Sequence, residues 1–388
     1  MGIVRIAIVG ASVRAAAHSA LRDGFEPVAA DLFRDRDLGD RCSATAIDNY
    51  PVDFHPWLQS VEVDAWIYTG ALENHPDLVD RMAAIVPLLG NQGARVQLVR
   101  SPDALACRLN DHGLLFPETR STAEDLPCNG SWLRKSYRAS SGHGVWSHDP
   151  RTASDPSGAL QDNNKPVCPP VFFQRRLEGD SVSAVFVAAG GQARLLGVTR
   201  QLVGVAWTGA QPFQYAGSLG PLRIDERVHQ TIENIGAVLA SEFKLRGLFG
   251  VDLIINHAGV WVLEVNPRYT SSVEIVERMT GCKMLQSHAI ACSTGVLPEV
   301  VTPCEVQQVG KAILFARRSV KVSEEFSAWA CHQNDDAPWP ELADIPPPET
   351  QISAGQPVLT VFATGRDAQD LESQLQKRLS GVQGKLYR

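Results

Sequence analysis

The feature that most constrains the fold is a pair of apolar runs, Val251–Ile255 and Val260–Val265, separated by the polar turn Asn256-His257-Ala258-Gly259. Two such runs flanking a short turn predict a β-hairpin. Alternate residues of a strand project from the same face, so Glu264 and Asn266 lie on one side of the second strand. A turn near Ala258 then sets Asp252, twelve residues upstream, opposite Glu264. Two carboxylates and an amide oxygen crowded on one face repel each other unless a hard cation sits among them. That donor set suits Mg²⁺, with Mn²⁺ as its replacement. The competing reading is a solvated acidic face on a sheet that is otherwise well packed. Arg268 follows Pro267, whose fixed φ directs the chain out of the strand end. Its fork of donors suits an acyl-phosphate, carboxylate or phosphate oxygen beside the acidic cluster.

Around the hairpin the chain reads as α/β. Ile3–Val9 predicts a strand, Gly10-Ala11-Ser12 a turn, Val13–Asp23 a helix and Pro27–Leu32 a second strand, the opening of a doubly wound domain. Asp64–Thr69 and Arg95–Val99 are expected as later strands of the same sheet. Asp31 stands where a dinucleotide fold places its ribose-binding acid. The glycines that should follow Gly10 are, however, Ser12 and Ala15, so an NAD-dependent oxidoreductase is set aside. Ser101–Gly113 predicts a capped helix and Ser131–Tyr137 a strand carrying Lys135. That strand feeds a small-residue loop, Ala139–Gly144, in which Ser141, Gly142 and Gly144 can present N–H groups to a polyphosphate that Lys135 neutralises. Residues 148–170 read as an exposed connection, and Val171–Leu177 and Val182–Ala188 as strands. A helix capped by Asp225 carries Val228, Ile232, Ile235, Leu239 and Phe243 at three- and four-residue steps and is expected to end at Gly247. The C-terminal region adds a Pro-rich loop near 337–348, a strand at Pro357–Ala363 and a helix from Asp367.

With 388 residues, 44% of them hydrophobic, the chain has material for more than one domain. A formal net charge of −7, with no block of like charge, speaks against nucleic acid or an anionic membrane as partner. Ile3–Val9 is too short for a signal segment and no apolar stretch reaches membrane-spanning length, so a cytoplasmic location is expected. The eight cysteines are dispersed without a C-x-x-C pair and read as reduced.

Taken together, the Lys before a Gly-rich loop, Gln174-Arg175-Arg176-Leu177-Glu178-Gly179, Gly250-Val251-Asp252 and Leu263-Glu264-Val265-Asn266-Pro267-Arg268 resemble the ATP-grasp superfamily over about residues 1–300. The resemblance implies an α/β (α+β grasp) fold in four parts. These are a pre-ATP-grasp α/β domain at 1–99, a lid lobe at 100–170, a metal and ATP lobe at 171–299, and a small β-rich lobe at 300–388. It implies that Asp252, Glu264 and Asn266 hold Mg²⁺ and that Lys135 contacts ATP phosphates beneath the lid. Gln174, Arg175 and Leu177 would offer main chain to adenine, Glu178 or Asp180 would lie near the ribose, and Arg268 would stabilise an acyl-phosphate. The implied partners are ATP and small carboxylate and amine substrates, or a thiol in place of the amine, and relatives with this N-terminal domain are often homodimers. A phosphate-contacting Lys usual at the start of the grasp is missing here. Its place falls on Pro102, with Arg100 the nearest cation. Biotin carboxylase places a Glu base where this chain has Ser272, which disfavours bicarbonate activation. The C-terminal stretches resemble the lobe of the biotin-carboxylase-like branch. The chain also resembles ligases grouped with tyramine–glutamate ligase, some of which serve cofactor biosynthesis. The implied activity is an ATP- and Mg²⁺-dependent carboxylate–amine ligase, and the alternative is a nucleotide-binding regulatory protein without turnover.

Overall fold

In the computed structural model the residues described are 2–149, 170–299, 308–334 and 339–388. The N-terminal segment forms a four-stranded parallel sheet in which Arg5–Val9 lies between Glu26–Asp31 and Ala65–Tyr68, with Ser43–Ala46 at the edge. Parallel pairing requires crossovers, and the helix Arg14–Arg22 supplies the first, burying Ala16, Ala17 and Ala20 against the sheet. Gly10 has a reason other than pyrophosphate approach: a Cβ there would stand 2.1 Å from Thr69 Oγ1. The strand expected at Arg95–Val99 is instead a helix, Gly93–Val99. Val96 and Val99 are buried three residues apart while Gln97 and Leu98 are exposed, and Asp80 Oδ1 accepts the Gly93 N–H at 2.8 Å. Tertiary packing of that three-residue spacing overrides the local alternation.

The central sheet has eight strands. Gly259–Asn266 lies at one edge, followed by Gly247–Asn256, Asp180–Ala189, Gln192–Val203, Tyr215–Gly220, Gln308–Phe315, Pro357–Gly365 and Leu342–Ala343. Strands from the C-terminal region therefore continue the sheet that begins with the carboxylate hairpin. The helix Glu226–Phe243 covers one face with Ile232, Ile235, Leu239 and Phe243, capped by Asp225, whose Oδ1 accepts the Val228 N–H at 2.9 Å. It stops at Phe243 because Lys244 adopts a left-handed conformation (φ 53°), ahead of the glycine expected to end it. Gly247 opens the next strand instead.

A smaller antiparallel sheet carries the lid, in the order Thr119–Arg120, Val171–Arg175, Trp132–Ser140 and His143–Ser147. The loop expected at Ala139–Gly144 is drawn into the last two strands as a tight turn, with Ser141 (φ 54°) and Gly142 (φ 80°) at its tip. Of the stretch 148–170, residues 150–169 lie outside the described residues, as do part of the Pro-rich loop near 337–348 and two of the cysteines, 168 and 304. The other six cysteines are free thiols. Among the described residues no helix is long and apolar enough to cross a membrane.

Two buried histidines tie the N-terminal sheet to its neighbours. His288 Nδ1 accepts the Leu248 N–H at 2.8 Å while Nε2 meets the Leu89 carbonyl at 3.0 Å, and His18 Nε2 meets the Asp37 carbonyl at 3.0 Å. Burial lowers both, His18 to about 3 and His288 to about 4, so both are neutral in the folded protein. An unfolded histidine gains its proton near pH 6.5. The stability each neutral ring contributes is therefore present above that pH and is lost as pH falls toward 4, by about 1.4 kcal/mol per pH unit and group. In urea unfolding between pH 6.5 and 4.5, His288→Gln is expected to flatten the loss by about that slope. An unchanged slope would show that His288 is not held neutral.

Candidate active site

The carboxylate hairpin forms with Asp252 paired opposite Glu264 and Gly250 opposite Asn266. Asp252 is half-buried, and Glu264 faces the cleft. Asn266 Nδ2 donates to Asp252 Oδ2 at 3.1 Å and lies 3.5 Å from Glu264 Oε1. Gln201 Nε2 donates to Asp252 Oδ1 at 2.9 Å. Burial and the charge of Glu264 push Asp252 up to about 8. Burial would raise Glu264 as well, but the Lys135 ammonium and the hydrogen bond with Asp252 hold it below its ordinary value. Of the two, Asp252 is the one that tends to keep its proton and Glu264 the one that tends to stay charged.

Among the described residues no three His, Cys, Asp or Glu side chains converge on a common point. Two carboxylates do, and the amide nitrogen of Asn266 sits between them where positive charge is wanted. The carboxylate oxygens of Asp252 and Glu264 match Mg²⁺ in type, whereas Asn266 turns its Nδ2 to them and its Oδ1 to Arg268.

Lys135 is buried in the lid strand, paired to Phe172 and Val145, and its Nζ donates to Gln174 Oε1 at 3.1 Å. The lid cation is thus buried away from bulk water, and its charge is felt at Glu264. The N–H groups of Arg175 and Arg176 bond the carbonyls of Glu118 and Ser131, so Leu177 and Glu178 are the positions of this segment left to meet a ligand through main chain. The Glu178 carbonyl accepts Asn256 Nδ2 at 2.9 Å, its side chain is exposed, and Asp180 pairs with Ile255 at the start of its strand. Gly179 (φ 148°) admits no side chain, since a Cβ would lie 2.5 Å from the Ile255 carbonyl oxygen. At the lid tip the Tyr215 N–H bonds the Ser141 carbonyl at 3.1 Å, and a Cβ on Gly142 would lie 2.0 Å from the Phe213 carbonyl oxygen. Gly144 is similarly tight, 3.1 Å from Ser136 Cβ. The lid is docked, and its glycines are what allow the contact.

Sequence reasoning missed the residue that holds Arg268. Arg268 Nη2 donates to Glu73 Oε1 at 2.6 Å and to Asn266 Oδ1 at 3.2 Å. Glu73 is a buried acid from the N-terminal domain, in a single helical turn after the strand Ala65–Tyr68. The same Glu73 oxygen lies 3.3 Å from Arg100 Nη1, and Arg100 Nη2 donates to the Ala139 carbonyl of the lid at 3.0 Å. Burial alone would raise the carboxyl, but the two guanidinium groups hold it below its ordinary value. Arg100 is thus committed to Glu73 and the lid. A lone acid in a short turn carries no periodic signal, so nothing in the sequence marks Glu73.

Beyond Arg268 opens a cavity of about 620 Å³, bounded by the N-terminal turn at Ala11 and Ser12, the lid tip, Thr270 and C-terminal residues including Lys311. Gln214 and Tyr215 border this cavity, whereas Arg200 is drawn to Glu372 of the C-terminal helix. Asp31, the acid a dinucleotide site would need, accepts the N–H groups of Val13, Phe33 and Arg34 at 3.1, 3.0 and 2.7 Å and is fully buried. It has nothing left for a ribose.

Residues 104–272 match the family model of the ATP-grasp domain. That stretch carries the chain's likeness to the ATP-grasp domain. An uncharacterized protein of Methanocaldococcus jannaschii is 24% identical over 194 residues, half of this chain, and the match spans 42% of that relative's length. Among solved structures, L-amino acid ligase from Bacillus licheniformis superposes with a TM-score of 0.70 at 14% identity over 98% of both chains. N5-carboxyaminoimidazole synthetase from Staphylococcus aureus, solved with ADP, gives 0.69 at 13% identity over 97% of both. At such identities the likeness is one of fold, and it extends beyond the ATP-grasp domain to the N- and C-terminal segments.

Replacing Glu73 by Ala leaves two buried guanidinium groups without a counter-charge. Urea unfolding is expected to show a loss of about 3–5 kcal/mol. A loss under about 1 kcal/mol would mean that Arg268 and Arg100 are not held by this carboxylate.

Proposed function

We propose that the protein is an ATP- and Mg²⁺-dependent ligase joining a small carboxylate to an amine. The observation that carries this reading is the charge of Lys135, on the lid, felt at Glu264, on the hairpin that also bears Asp252 and Asn266. A triphosphate needs positive charge on one side and a metal-binding acidic face on the other, and the cleft offers both. Lys135 would bind phosphate oxygens under the docked lid tip Ser141–Gly144, and Leu177 and Glu178 would meet the base and ribose, with Gln174 and Arg175 shaping the strand that leads there. Asp252, Glu264 and Asn266 would hold Mg²⁺, which when bound neutralises charge on the phosphates. The carboxylate substrate would lie beside Arg268, whose orientation Glu73 fixes, and would take the γ-phosphoryl group to give an acyl-phosphate. The amine then displaces phosphate from that carbon. Such a reaction is driven by positioning and electrostatics and calls for no nucleophilic Ser or Cys. The domain limits 1–99, 100–170, 171–299 and 300–388, a cytoplasmic setting and a homodimer belong to the same reading.

The test is phosphate release with Mg²⁺-ATP against a matrix of small carboxylates and amines. Release only when both are present supports ligation, and ATP binding without release under every pairing would favour the regulatory alternative. In the active pairing, Glu264→Ala is expected to lower kcat by about 10²–10³-fold, the scale of one lost transition-state contact. Unchanged turnover in that variant would refute the assignment.

A further inference from the structure

The 620 Å³ cavity beyond Arg268 is bordered by an acid that has no hydrogen-bond donor among the described residues. Asp35 borders the cavity with only 5% of its surface exposed. It precedes the short helix Arg36–Gly39, but its carboxylate does not cap that helix, and no residue among those described donates a hydrogen bond to it. The groups around it are engaged elsewhere. Asp31 is taken up by three backbone N–H groups, and Asp37 accepts those of Asp344 and Ile345 at 3.1 and 2.9 Å. Asp344 is bonded by Arg14 Nε at 2.9 Å and by Thr360. Arg14 is shared between Asp344 and Glu274, and Lys311 Nζ donates to Glu274 Oε2 at 2.8 Å. Five acids, Asp31, Asp35, Asp37, Glu274 and Asp344, therefore surround two basic groups, Arg14 and Lys311, both already paired.

A carboxyl buried without a donor is costly, and the donor that would relieve it must come from the cavity. The excess of acid around Asp35 selects a donor carrying positive charge there, while Arg268 of the same cavity is left to an anion. Apolar side chains also line it: Leu32 and Phe33, unusually exposed for their size, stand with Ile313 and Val358 along the same cavity.

We propose that this cavity seats the amine substrate and that Asp35 accepts a hydrogen bond from its amino group while Leu32 and Phe33 cover its apolar body. Asp35 is then the residue that distinguishes an amine from a neutral or anionic molecule of the same shape. The proposal rests on the ligase reading for its place in the reaction, but binding at Asp35 is measurable without turnover.

The full-length protein is titrated with n-hexylamine and, separately, with hexanoate, in the absence of ATP, following ligand-observed NMR. Asp35→Asn is the variant, because Asn precedes a helix as well as Asp does and keeps the side chain's size. Its circular dichroism and melting are compared with the wild type. Hexylamine is expected to bind the wild type, to bind Asp35→Asn at least about tenfold more weakly, and to outcompete hexanoate on the wild type. Equal binding of hexylamine by the two proteins, no binding to the wild type, or preference for hexanoate overturns the proposal. In the ligation assay the same variant should raise KM for the amine by about tenfold and leave KM for ATP unchanged. If no amine supports phosphate release while the hexylamine result stands, it is the ligase reading that fails and not the site. An effect on both KM values alike would show Asp35 to be merely structural.

Discussion

Two carboxylates held face to face across a hairpin are the constraint on which the rest of the site depends. Asp252 and Glu264 are directly opposed in the register, and neither can move away without breaking the ladder that pairs them. Their repulsion is relieved by the proton that Asp252 tends to keep, by the amide of Asn266 and by Lys135 from the lid. Asn266 belongs to the hairpin itself and Lys135 to the lid, so relief of the repulsion links the lid sheet to the hairpin. A cation entering there would replace partners that are already arranged around a deficit of positive charge.

Glu73 performs the reverse service for two guanidinium groups. It joins Arg268, at the end of the hairpin, to Arg100, which in turn bonds the lid carbonyl of Ala139. Through one buried acid the N-terminal domain is thereby connected both to the residue that would meet the reacting carboxylate and to the element that closes over the nucleotide. A buried ion pair of this kind is weak evidence for stability but strong evidence for a fixed geometry, because breaking it on one side leaves uncompensated charge on the other.

Much of this was legible in the sequence wherever a period repeats. The alternation in Val260–Val265 and the turn at Asn256–Gly259 fix which residues share a face, and the three- and four-residue steps from Val228 to Phe243 fix the long helix. Arg95–Val99 shows the limit of that method, since its local alternation satisfies a strand while the partners of Val96 and Val99 favour a helix. Lone residues were harder still. Glu73 and Asp35 sit in short turns, and their importance comes from distant segments that the fold brings to them. Gly10 was visible but for the wrong reason, since what it makes room for is the side chain of Thr69.

The cavity beyond Arg268 is assembled from the N-terminal turn, the tip of the lid and strands near the C-terminus, whereas Asp252, Glu264, Asn266 and Lys135 are confined to one hairpin and one lid strand. That division has an evolutionary consequence. Drift in the outer segments can change which molecules are joined while the device that harnesses nucleotide cleavage stays as it is, so relatives that keep the Leu-Glu-Val-Asn-Pro-Arg stretch need not share a product.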